Sequence, residues 1–144
     1  TPDWAAAIEG AGIELTIVPI NDLFPAMAQA ILASDKMIAE RPEVVKAFVQ
    51  ATLKGMRDVM EDPAGSSKLL AENIPQFEGK AAMLEDIMKR YTNLVYATDD
   101  MTKLGMIDPE RMAAVAEFYK KNEIVTETLP VEDYFDNQFA APTE

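Results

Sequence analysis

Residues Ser34–Asp62 read SDKMIAERPEVVKAFVQATLKGMRDVMED, and the fold is decided there. The stretch predicts the end of a strand, a short charged helix, and then an amphipathic helix opened by Pro42. Proline is tolerated at a first helical position because its missing N–H would have no partner there anyway. Val45, Phe48, Val49, Thr52, Met56, Val59 and Met60 recur at spacings of three and four, which defines one helix face. Gly55 interrupts the pattern at a cost of about 1 kcal/mol relative to alanine. Close packing against another backbone is the expected reason.

Everything C-terminal to this stretch also reads as helix. Asp62-Pro63 supplies a cap and a first residue for a helix carrying Leu69, Leu70 and Ile74. Lys80–Ala97 forms a further helix with Leu84, Ile87, Met88, Tyr91, Leu94 and Val95 inward. Asp108-Pro109-Glu110 opens another, with Met112, Val115, Ala116 and Tyr119 on one face. Lys120 and Lys121 complement its dipole, and Asn122 is expected as its left-handed stop. Val131–Phe139 is expected to form a last short helix.

The N-terminal third is different. Asp3–Glu9 predicts a short helix between Pro2 and Gly10. Ile13–Ile20 (IELTIVPI) and Met27–Ser34 (MAQAILAS) are short apolar runs bounded by turn residues, the pattern of buried strands. The expected class is therefore α/β: two strands near the N-terminus followed by about five helices. Two strands without a polar face make a marginal sheet. The expectation follows that the chain is a fragment whose sheet is completed by a missing N-terminal half or by another chain. The start at Thr1, without methionine, suggests a processed, trimmed or cut end.

Composition narrows the function. A chain of 144 residues can bury roughly two thirds of its unfolded surface, enough for a core. Thirteen basic against twenty-five acidic side chains give a net charge of −12, which repels nucleic acid and anionic membrane surfaces. Beyond Lys121 only acids follow: Glu123, Glu127, Glu132, Asp133, Asp136 and Glu144. They read as a solvated face. No cysteine is present, so neither a disulfide nor a thiolate metal site can form. The absence of histidine removes the usual general base and the commonest zinc ligand. Asp99-Asp100 and Glu132-Asp133 fit capping and solvation better than acid–base work. Neither a P-loop nor a GxGxxG occurs. Most of the nine methionines fall on helix faces and read as core. No cofactor, no metal and no catalytic residue is expected.

The polar cluster between the two apolar runs is the candidate site. Asn21 and Asp22 follow the first run, Phe24 and Pro25 come next, and Gln29 lies in the second. Ligands in open α/β sheets bind at the carboxyl ends of strands. Phe24 has a ring to stack on a planar ligand, and Gln29 both donates and accepts hydrogen bonds. The plainer alternative is an Asx turn at Asn21-Asp22 with Phe24 plugging the core. Trp4, the single tryptophan, is open to the same two readings, cleft wall or core anchor.

The run ILASDKMIAERPEVVKAFVQATLKGMRDVMEDP (Ile31–Pro63) resembles the C-terminal half of type II periplasmic solute-binding proteins of ABC importers. This is the branch carrying thiamine pyrimidine precursors, sulfonates, taurine or nitrate. In that family a strand ending like LVAS leads into a helix of pattern P-E-V-V/L-x-x-F-x-x-A-x-x-x-G. Pro42, Glu43, Val44, Val45, Phe48, Ala51 and Gly55 match it, and the segment Gly105–Glu110 (GMIDPE) is also similar. The resemblance implies two lobes closing on a small solute, an importer permease as partner, a periplasmic or extracytoplasmic location and no enzymatic activity. It implies that residues 1–34 are the end of the second lobe and its return crossover, and that residues 35–144 complete the first. Members that bind pyrimidine precursors carry Pro-x-aromatic-aromatic-Glu before the second strand. Here Pro25-Ala26-Met27-Ala28-Gln29 stands with both aromatics and the acid replaced, a departure from the pyrimidine binders' pattern that leaves a sulfonate, taurine, nitrate or pyrimidine-like solute as the expected ligands. Two other functions remain at this point: an enzyme on the same fold, in thiamine pyrimidine synthesis or desulfination, or a self-contained helical interaction domain.

Overall fold

In the computed structural model, residues 1–20, 23–24 and 29–141 are described. Among them the regular elements are α1 (Pro2–Gly10), α2 (Asp35–Glu40), α3 (Pro42–Glu61), α4 (Pro63–Asn73), α5 (Ala81–Leu94) and α6 (Pro109–Lys121), joined by short 3₁₀ turns. The two N-terminal strands are not seen. Residues 13–19 and 29–34 run without any strand assignment, and the described chain is α-rich, not α/β. The reason is physical. A buried strand needs neighbours for its backbone groups and for both faces, and none is supplied among the described residues. The apolar side chains of both runs therefore stay exposed, Leu32 at 92%. Met27 and Ala28, the start of the second run, lie outside the described residues.

Helix boundaries follow the residues that set them. Ser34 caps α2, its Oγ accepting from the Met37 N–H at 3.2 Å. That helix stops at Arg41, whose extended φ of −142° is what a following proline demands. Pro42 then opens α3 and Asp62-Pro63 opens α4, with the Asp62 carboxylate accepting from the Gly65 N–H at 2.9 Å. A Cβ at residue 65 would overlap that carboxylate, so the cap itself explains the glycine. Asp108 caps α6 by accepting from the N–H groups of Glu110 and Arg111. At the other end of α6 the expected left-handed stop is displaced by one residue. Asn122 has φ −96°, and Glu123 takes φ 58°. The N–H of Ile124 bonds the carbonyl of Tyr119 and that of Glu123 the carbonyl of Lys120, a Schellman motif with Glu123 where glycine is usual.

The described chain divides into two compact units. In the unit formed by residues 1–18 and 54–99, α5 packs along α4 and also receives α1. Arg90 carries the second contact: its guanidinium bonds Asp86 one turn back on α5 and Glu9 on α1. These two carboxylates raise the arginine's already high pKa, Asp86 first. Tyr91 adds a bond from its hydroxyl to Asp3 at 3.1 Å. Partial burial, and then Asp3, pushes the phenol upward. The buried residue of α4 is Ser67, whose Oγ donates to the Ala64 carbonyl; the expected Leu69 faces out.

In the unit formed by residues 19–53 and 100–144, the core gathers Val45, Leu53, Leu104, Phe139 and Ala140. Val45 and Leu53 are the buried residues of α3, while Phe48 is 63% exposed. At roughly 100° per residue, the line through Val45, Val49 and Leu53 sets the centre of the face and leaves Phe48 at its margin. The C-terminal segment, expected as a helix over Val131–Phe139, is instead two 3₁₀ turns, Val131–Asp133 and Asn137–Phe139. Side-chain amides hold it. Gln50 Nε2 donates to the carbonyls of Phe139 and Ala141 at 2.8 and 3.0 Å. Asn137 mimics a strand partner for Ile107, accepting its N–H at 2.8 Å and donating to its carbonyl at 2.9 Å. Each such bond is worth about 1 kcal/mol. Asn137→Ala is accordingly expected to destabilise the protein by about 2 kcal/mol, measured by urea unfolding. Asn137→Asp keeps only the acceptor and should recover at most half of that.

The expectation that Gly55 permits close backbone packing is not met: a Cβ there finds nothing within 4 Å. An exposed glycine inside a helix has no steric reason to stay. Gly55→Ala is therefore expected to stabilise the protein by about 1 kcal/mol in the same urea assay.

Candidate functional site

Of the expected ligand-binding residues, Phe24, Gln29 and Trp4 are described; Asn21 and Asp22 lie outside the described residues, as does Pro25. Phe24 is held by a tight turn in which the N–H groups of Leu23 and Phe24 both bond the Ile20 carbonyl, at 3.0 and 2.7 Å. Its ring packs on Phe118 of α6, with centroids 4.5 Å apart and planes tilted by 36°. Phe118 in turn lies 6.2 Å from the ring of Tyr119. Gln29 is exposed in the same unit, on chain without regular structure. Trp4 belongs to the other unit, in the first turn of α1, and at 68% exposure it is no core anchor.

The ring cluster is a surface feature. Phe24 is half-buried and Phe118 is 40% exposed, whereas the core residues of the same unit are nearly sealed. Phe24 therefore does not plug the core, and rings at a surface keep faces available for offset or edge-to-face contact with another ring. Charges flank the cluster on α6 and just beyond it: Glu117 and Glu123, Lys120 and Lys121. Sequence reasoning missed Phe118. The signal was present, because an aromatic standing off the helix face set by Met112, Val115, Ala116 and Tyr119 has no role in that face. Two open depressions, about 580 and 700 Å³, are lined by residues 68–81 and by residues 9–16. None of the expected ligand residues lines either. Among the described residues there is no group of side chains able to hold a metal ion, and no helix is long and apolar enough to cross a membrane.

Comparison with known proteins gives an independent result. The profile of the NMT1/THI5-like family matches residues 4–66, a segment that includes most of α1, the Phe24 turn, Gln29 and all of α3. The matched segment is therefore similar to the NMT1/THI5-like family over somewhat less than half of the chain. This agrees with the resemblance carried by Pro42–Gly55. A curated relative, the riboflavin-binding protein RibY of Chloroflexus aurantiacus, is 26% identical over 136 residues, which is 92% of this chain. The chain spans 38% of that relative's length. No solved structure gives a significant match.

Proposed function

We propose that this chain is part of a solute-binding component of an ABC-type importer, capturing a small organic solute without converting it. The observation that carries the reading is the family match over residues 4–66 together with similarity to a riboflavin-binding protein along nearly the whole chain. Phe24 and Gln29 fall inside the matched segment and supply the ligand chemistry, a ring to stack and an amide to orient, with Asn21 and Asp22 as further contacts. In this reading residues 1–34 end the second lobe and return the chain to the first, and residues 35–144 complete that first lobe. The partner is the importer's permease, and the place of work is extracytoplasmic. The relative's name puts riboflavin first among solutes, ahead of taurine, other sulfonates, nitrate and pyrimidine precursors.

Thermal unfolding of the full-length protein against that solute panel tests the reading. A ligand that binds only the folded state adds about 2.7 kcal/mol at a hundredfold excess over its Kd, so the right solute should raise the midpoint by several degrees. A panel that leaves the midpoint unmoved throughout would count against solute capture.

A further inference from the structure

The three-ring cluster has properties that neither the family match nor the sequence pattern assigns. Phe118 lies outside the matched residues 4–66, on a helix in which no residue is buried, yet it is the residue against which Phe24 rests. A phenylalanine pair made for stability would be expected within the apolar core, where Leu53, Leu104 and Phe139 already sit. Here the pair is partly open to solvent, and Tyr119 extends it outward.

We propose that Phe118 is a positioning residue of the solute site: it seats the Phe24 ring and so selects a planar conjugated solute over small anions such as nitrate or taurine. This rests on the solute-capture reading and sharpens it to a substrate class. The chemistry runs as follows. Phe24 sits on a turn bonded to the Ile20 carbonyl, and its ring leans on that of Phe118, which sets the plane it presents. Phe118 supplies that support from a regular helix. A flat heteroaromatic solute gains from a pre-set ring plane, because the cost of orienting the side chain is met before binding. A small anion gains nothing from ring faces. In the local sequence Lys120 and Lys121 are offset by Glu117 and Glu123, and the whole chain carries −12. Neutral conjugated rings need no counter-charge there.

The test is a titration of full-length protein with riboflavin, followed by quenching of flavin fluorescence, in Phe118→Leu, Phe24→Leu, the double variant, and Phe48→Leu as an exposed-aromatic control. An aromatic pair contributes about 0.5–1.5 kcal/mol beyond area, so Phe118→Leu should weaken riboflavin about 3- to 10-fold. Phe118→Tyr should restore it to within about twofold, and Phe48→Leu should leave it unchanged. Because Phe118 acts through Phe24, adding Phe118→Leu to Phe24→Leu should cost little more, whereas a general loss of packing would weaken both backgrounds alike. Unchanged riboflavin affinity in Phe118→Leu overturns the proposal while solute capture stands. Binding of taurine or nitrate, with riboflavin and other planar heteroaromatics refused, has the same consequence. If no solute binds the wild type, both readings fall.

Discussion

Leu53→Ala is expected to lower unfolding stability by about 2–5 kcal/mol, the range for removing a buried leucine from a packed interior. Leu53 is 3% exposed and lies in the middle of α3, where its unit draws on that helix. The loss has two parts, the transfer of the missing methyl groups from water and the cavity they leave. The size of the second depends on whether Leu104, Phe139 and Ala140 close in. Urea denaturation read by far-ultraviolet circular dichroism measures it. A loss below about 1 kcal/mol would mean that Leu53 is not at the centre of a core.

Gly105→Ala is expected to cost about 2–4 kcal/mol, for two separable reasons. The residue has φ +83°, in the left-handed region, where a side chain adds about 1 kcal/mol of strain. A Cβ would also drive into the δ-carbons of Leu53, and overpacking of this kind costs about 1–3 kcal/mol. The second reason depends on Leu53, which makes the two substitutions interdependent. In a Leu53→Ala background the clash is gone and only the strain remains, so Gly105→Ala should then cost about 1 kcal/mol. A double-mutant cycle measures the difference. Simple additivity of the two losses would show that residue 105 does not abut Leu53.

Much of the helical part was legible because the signals are local. Pro42, Asp62-Pro63 and Asp108-Pro109 mark the starts of α3, α4 and α6, and a proline or a capping carboxylate acts within one turn. Where the reading erred, the deciding interaction was distant in sequence. Ile13–Ile20 has the composition of a strand, but strand formation requires partners that the described residues do not provide. Gly55 looked like a packing glycine and stands in open space. Gly105 is the glycine that approaches a neighbour, and only the fold brings it to Leu53. Asn122 has the composition of a left-handed stop, yet the Schellman bonds fall one residue later, at Glu123. For the site, Phe24 was found from its place in a polar turn, while its companion ninety-four residues on was not, since no local pattern links Phe24 to Phe118.

The central claim is capture of a small solute without turnover, and isothermal titration of the full-length protein with riboflavin tests it most directly. The account predicts a saturable 1:1 isotherm, with the flavin recovered chemically unchanged after prolonged incubation. Absence of binding to riboflavin and to every other solute of the panel, or steady conversion of the bound solute into product, would contradict it.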